Sequence, residues 1–422
     1  MVARRRRGTL CLITLAEYHM TRLLRSPLLP IFLIVFVGLL GFGIILPLLP
    51  LYAQQFGASP LVVGLLLSSY SLMQLVATPY LGALSDRIGR RPVLIISQLG
   101  TVISFVLLGL ANSLWLLFVA RLLDGLSGGN ISTAQAYISD IAEERDRARA
   151  YGLIGAAFGL GFILGPALGG LLSRGHNYHL PALVAAGISA VSLLLTLLVL
   201  PESLPPEQRN VQRVPRILDL EGLRAAFGYG QLGLILVIFF LFNLAQTGFQ
   251  GLFALFNAQR FGFGARETGY LLAYVGLLGL VLQGGLIGPL VRRWGELHVM
   301  RAGLLLAALG FFWAAWIQHW QVLLLALIPL AIGFALPTPT ANSLMTRESP
   351  PVERGRVLGL SQSLAALARV LGPLLTGLAL ENASWLAFVI AGLIVIGALV
   401  LALRLTPPAQ PAEDPRFRPK VA

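Results

Sequence analysis

The chain has 422 residues, 56% of them hydrophobic and only 12% charged, with a mean hydropathy of +0.80, which excludes an ordinary soluble domain at about 25% charged. The net charge is +13, yet nucleic acid is excluded as a partner by where the charges lie. Of 31 basic residues only Arg174, Arg260 and Arg266 fall in segments read as external, and Arg121 and Arg369 lie inside apolar runs, a positive-inside bias that places both termini in the cytoplasm.

Residues 1–27 form a basic lead-in. Arg4 to Arg7 look like the start of a signal peptide, but Glu17 and His19 interrupt the stretch that follows and no small-residue cleavage site is present. An amphipathic cytoplasmic segment is expected, or a start at Met20. Cys11 is the only cysteine, so no intramolecular disulfide is expected.

Twelve apolar runs follow, each near the roughly 20 residues that one helical crossing needs. They are continuous rather than alternating, which favours helices over a barrel. The expected helices are 1 (28–53), 2 (61–83), 3 (93–111), 4 (114–140), 5 (150–173), 6 (180–200), 7 (231–257), 8 (267–291), 9 (299–317), 10 (320–346), 11 (356–380) and 12 (383–404). The Pro-, Arg- and Glu-rich stretch 201–230 reads as a cytoplasmic linker between two six-helix halves, 28–200 and 231–404. A cytoplasmic tail, 405–422, closes the chain. The expected fold is therefore an all-α membrane protein of two six-helix bundles.

Helix 1 contains Gly43-Ile-Ile-Leu-Pro47-Leu-Leu-Pro50. Its prolines free backbone carbonyls and bend the helix. Between helices 2 and 3 lies Gly82-Ala-Leu-Ser-Asp86-Arg87-Ile-Gly89-Arg90-Arg91-Pro92. Gly82 permits close backbone approach, Pro92 suits a first helical turn, and Asp86 can pair with the arginines. Taken singly, Arg87 and Arg90 also read as ordinary positive-inside charges.

Helix 4 carries Arg121-Leu-Leu-Asp124-Gly125. Ionisable groups within a span are costly; three residues apart on a helix, these two share a face and can pair. They read either as a proton-coupling site, in which protonation of Asp124 releases Arg121, or as a static neutral pair. Asp140 closes the same helix in Ala136-Tyr-Ile-Ser-Asp140. It can join the charges of the 82–92 stretch or stand solvated in the cytoplasm.

Helix 5 holds Gly152, Gly161, Gly165-Pro166 and Gly169-Gly170. Glycines four residues apart leave one face bare, so a neighbouring helix can approach closely, and Pro166 can bend the helix. The second half echoes the first. Gly288-Pro-Leu-Val-Arg-Arg-Trp-Gly295 parallels residues 82–89, with Arg292 in place of Asp86, and Gly372-Pro373 of helix 11 parallels Gly165-Pro166. Helix 11 also carries Gly355-Arg-Val-Leu-Gly359-Leu-Ser-Gln362 and the intramembrane Arg369, which faces either the cavity or helix 12.

Polar groups inside the runs are candidates for a substrate cavity: Tyr70, Gln74, Asn130, Gln135, Asn243, Gln246, Gln250, Gln283, Asn342 and Gln362. Asn243, Gln246 and Gln250 share a helix face with Phe253 nearby. Each alone reads equally well as an interhelical hydrogen bond. Lys420 is the only lysine, so a Gly-x-x-x-x-Gly-Lys phosphate loop is impossible and energy must come from an ion or substrate gradient. His19, His176, His179, His298 and His319 have no partner at ligand spacing. No metal, cofactor or enzymatic centre is expected.

The 82–92 segment resembles, position by position, the loop between helices 2 and 3 of the major facilitator superfamily. The helix-1 and helix-5 patterns are similar to those of its twelve-helix drug:proton antiporters. The resemblance spans residues 28–404 and implies two pseudo-symmetric bundles with a midplane site between them. It also implies that Gly82, Asp86, Arg87, Gly89, Arg90, Arg91 and Asp140 form a cytoplasmic gate latching the outward-open state. Arg121 matches the family's Arg-x-x-x-Gly motif; Asp124 is this chain's own addition. The implied function is proton-coupled export of drug-like amphipathic molecules from the inner membrane, by a monomer whose partners are its substrate, protons and the bilayer. An exporter or uncoupled facilitator of a sugar, amino acid or other metabolite is the alternative. Tetracycline exporters usually carry an acid in helix 1, and Leu39 to Gly43 has none, which argues against tetracycline–metal complexes as cargo.

Overall fold

The computed structural model describes residues 28–142, 147–173, 177–209, 220–350 and 353–406. The lead-in with Cys11, and Arg174, His176 and Lys420, lie outside them. Among the described residues all regular structure is helical, as continuous apolar runs in hydrocarbon require, because a helix satisfies its own backbone.

Helix 1 is two pieces, Leu28–Ile45 and Leu48–Gln55, bent by 40° at Leu46–Pro47. Helix 2 spans Pro60–Ile88, helix 3 Arg90–Gly109, helix 5 Arg147–Leu172 and helix 6 His179–Val199. In the second half helix 7 spans Leu232–Phe261, helix 11 Arg354–Asn382 and helix 12 Ser384–Leu403. The run Ala265–Ala315 is 51 residues long. At about 1.5 Å per residue it would cross a hydrocarbon core of about 30 Å twice over. It divides at Gly295, whose φ of 77° and ψ of 158° are non-helical, into helices 8 and 9. With the bent helix 1 counted as one span, the described residues hold twelve spans.

Several boundaries differ from the sequence reading. The expected loop at 82–92 is almost entirely helical. Helix 2 continues to Ile88, helix 3 begins at Arg90, and Gly89 alone breaks the run at φ 107°, ψ 161°. Only glycine reaches that backbone region without strain, and Gly295 adopts it too. The expected single helix 4 is broken into Leu114–Leu126 and Asn130–Ile141, because Gly128-Gly129 hold a helix poorly. Helix 10 breaks likewise, into Trp320–Ala335 and Pro337–Glu348; Pro337 has no N–H to continue the ladder. Helix 8 contains a π turn at Leu282–Leu286. The linker carries a short helix, Leu220–Ala226.

Packing repeats with an offset of six helices. Helices 1 and 5, 1 and 6, 2 and 4, 3 and 4, and 3 and 6 pack together. So do 7 and 11, 7 and 12, 8 and 10, 9 and 10, and 9 and 12. Two extensive contacts join the halves, helix 2 with helix 11 and helix 5 with helix 8.

Both joining contacts are tightest toward the end away from Asp86. A Cβ on Gly64 would lie 2.5 Å from the Pro373 carbonyl oxygen, and one on Gly377 2.6 Å from that of Pro60. A Cβ on Gly269 would collide with the Pro166 oxygen, and one on Gly170 would lie 2.9 Å from that of Ala265. At the other end Gly82, Gly152, Gly155, Gly284, Gly285, Gly355 and Gly359 front open space. The halves are sealed at the end away from Asp86 and parted at the end that carries it. Gly82 accordingly makes no close approach in this conformation, unlike the sequence expectation.

Candidate functional site

A polar cluster lies where helix 4 packs on helix 2. Gly125 brings helix 4 against helix 2: a Cβ there would stand 2.4 Å from the Tyr70 carbonyl oxygen. One helical turn before it, Arg121 places its guanidinium over the Tyr70 ring, 4.1 Å from the centroid. Arg121 Nη1 donates to Asp124 Oδ2 at 2.8 Å. Arg121 is 3% exposed and Asp124 4%, so the pair is desolvated and its members depend on each other. Arg121 Nε is buried with no hydrogen-bond partner among the described residues. Gln74 donates to the Tyr70 hydroxyl at 3.0 Å. Phe42 lies 5.9 Å from the Tyr70 ring and 6.3 Å from Phe162, giving the cluster an aromatic wall.

At the Asp86 end a second cluster ties helices 2, 3 and 4 together. Arg90 pairs with Asp86, donates to Asp140 at 3.0 Å and to Ser85 at 2.7 Å. Asp140 accepts from Ser203 at 3.0 Å. Arg91 donates to the Leu197 carbonyl at 2.7 Å, and Arg87 is exposed. Sequence reasoning missed Glu202, which accepts from the backbone N–H of Arg90 at 2.8 Å and of Arg91 at 3.2 Å. It caps helix 3, where the N-terminal N–H groups lack helical partners. An acid just beyond helix 6 was the available signal.

The second half has its own version with the charges exchanged. Glu296, the residue after Gly295, accepts from Arg347 of helix 10 at 2.9 and 3.0 Å and from Ser343 at 3.3 Å. Arg90 after Gly89 and Asp140 of helix 4 hold the equivalent places in the first half.

The helix-5 glycines divide between two neighbours. Cβ atoms on Gly161, Gly165 and Gly169 would meet Leu39, Gly43 and Ile44 of helix 1 within 3 Å. Pro166 and Gly170 meet Gly269 and Ala265 of helix 8, across the halves, and Gly152 meets nothing.

The other polar candidates scatter. Gln135, Gln283 and Gln362 are exposed within spans; for Gln283 and Gln362 a water-filled space suits an amide at that depth better than lipid. Gln246 and Gln250 are half-buried. Asn243 donates to the Phe239 carbonyl of its own helix at 2.8 Å. Asn130 and Asn342 each bury an Oδ1 with no partner among the described residues. Phe253, 1% exposed, packs against Phe249 with centroids 4.7 Å apart and rings tilted by 41°, beside a small apolar void in the second bundle that Phe311 and Phe388 also line. Among the described residues no three His, Cys, Asp or Glu side chains converge to hold a metal.

Comparison with known proteins agrees with this architecture. The sequence model described as the Major Facilitator Superfamily matches residues 31–348 and 284–421. The class C tetracycline resistance protein of Escherichia coli is 33% identical over 338 residues, 79% of this chain and 85% of that protein. Multidrug resistance protein 1 of Bacillus subtilis (strain 168) is 27% identical over 347 residues, 81% and 87% of the two chains. Among solved structures, the human organic anion transporter MFSD10 is 26% identical with a TM-score of 0.69, covering 90% of this chain and 99% of its own.

Proposed function

The chain belongs to the major facilitator superfamily, and from that premise we propose that it exports drug-like amphipathic organic molecules in exchange for protons. It does so as a monomer in the inner membrane, with both termini cytoplasmic. The resistance proteins among its relatives support such cargo. The observation that carries the coupling is the buried Arg121–Asp124 pair within helix 4.

In this cycle the parted end faces the cytoplasm and admits substrate from the cytosol or inner leaflet. The halves then rock, sealing the end that carries Asp86, Arg87, Arg90, Arg91 and Asp140 and opening the other. A proton arriving from outside neutralises Asp124 and leaves Arg121 buried without its counter-ion. Losing one partner of such a pair costs about 3–5 kcal/mol, enough to shift a two-state equilibrium more than a hundredfold. Arg121 lies against Tyr70 and one turn from Gly125, so the strain falls on the contact between helices 2 and 4. Ser127–Gly129, the break in helix 4, is where the chain can yield. Return to the cytoplasm-open state and loss of the proton complete the exchange.

A second reading rests on one observation. Asp124 is the one carboxylate deep within a span among the described residues, and it is already paired. That pair could simply be static in an uncoupled facilitator of small metabolites. A susceptibility panel in an exporter-deficient bacterial host separates the two. The wild-type protein is expected to raise resistance to several amphipathic compounds, and Asp124→Asn to abolish that resistance at equal membrane expression. Undiminished resistance in Asp124→Asn removes the carboxylate from the mechanism.

A further inference from the structure

Arg369 has no role in that cycle, and its surroundings give it one. It lies mid-way along helix 11, between two residues whose carbonyls are fixed to opposite neighbours. Ala368 accepts from Thr247 of helix 7 at 2.9 Å, and Val370 accepts from Ser68 of helix 2 at 2.5 Å. The backbone is thus held firmly while the side chain stays half-buried. Helical side chains lean toward their own N-terminus, which for helix 11 is the parted end. Tyr70 lies two residues beyond Ser68 on helix 2, so it stands at the level of Arg369 across the boundary between the halves. Among the described residues Arg369 has no carboxylate partner and makes no hydrogen bond.

The charge balance follows. Asp124 neutralises Arg121, so Arg369 leaves the interior of the spans with one uncompensated positive charge. An unpaired charge at that depth is expensive and marks a substrate or ion path. A guanidinium offers a planar fork suited to a carboxylate or sulfonate, and the Tyr70 and Phe42 rings, 5.9 Å apart, suit an apolar body.

We propose that Arg369 and Tyr70 form the anion subsite of the cavity, and that the cargo is an amphipathic organic anion whose carboxylate or sulfonate sits on Arg369 while its rings lie against Tyr70 and Phe42. This deepens the exporter reading and rests on it for the direction of transport, but binding itself is testable without any gradient. The full-length protein in nanodiscs of zwitterionic lipid is titrated with two anions, fluorescein and naphthalene-2-sulfonate, and with ethidium, a cation of comparable ring area. Saturable binding of at least one anion is expected, with ethidium weaker. Arg369→Gln should weaken anion binding at least tenfold, and Arg369→Lys, which keeps the charge without the fork, should fall between; melting curves confirm that both variants are folded. The proposal is overturned if neither anion binds saturably, or if Arg369→Gln binds them as the wild type does. Anion binding without proton-driven export sinks the exporter reading alone, whereas proton-driven export of ethidium with no anion binding sinks only this one.

Discussion

Asp124 and Glu202 show two kinds of legibility at the scale of single residues. Asp124 lies three positions from Arg121 on one helix, so sequence spacing alone predicts their pairing, and the 2.8 Å contact follows. Glu202 acts on residues 111 and 112 positions away, and no local pattern announces that. Arg369 was visible as a charge in an apolar run, yet the neighbours at its level depended on the register between helices 2 and 11, which a single sequence does not encode. Glu202 should matter for stability. Its carboxylate accepts from Arg90, Arg91, Ser203 and Leu204 backbone N–H groups, and losing a helix cap costs about 1 kcal/mol. Glu202→Ala should lower the melting temperature by about 2 °C. Glu207→Ala, exposed in the same linker, should leave it unchanged. Equal melting curves for the two variants would show that the cap contributes nothing.

Whole helices were easier to read than their ends. The number and order of spans follow from hydropathy, because each must cross about 30 Å of hydrocarbon. The Gly82–Pro92 segment misleads because charge suggests a loop, whereas at a membrane surface the last turns of a helix carry charge at little cost. The breaks in helices 4 and 10 had Gly128-Gly129 and Pro337 as their signals, which apolar continuity masked. The repeat between Gly89 and Gly295 proves deeper than its letters, since both residues share one backbone conformation and precede charges of opposite sign in equivalent ion pairs. Helices 5 and 8 form one half of the seal, and Gly269 is its tightest point. Gly269→Leu should wedge the sealed end apart. In a Cys11→Ser background, a cysteine replacing buried Ala265 should then react with an external maleimide several-fold faster. An unchanged rate would mean that the contact does not govern closure.

The whole molecule is two six-helix bundles packed by the same rules, joined along helices 2 with 11 and 5 with 8, sealed at one end and parted at the other. Sequence showed the two halves through their echoed glycines and the linker between them. It could not show which end stands open, because one sequence encodes every state of the cycle and the conformation is a choice among them. Outward movement of organic cargo at the expense of a proton gradient is measurable in proteoliposomes. An imposed pH gradient should drive accumulation of a compound identified by the susceptibility panel, with protons moving in the opposite direction, and both fluxes should vanish in Asp124→Asn. Substrate movement that runs only down its own gradient, with no change in internal pH, would contradict the account.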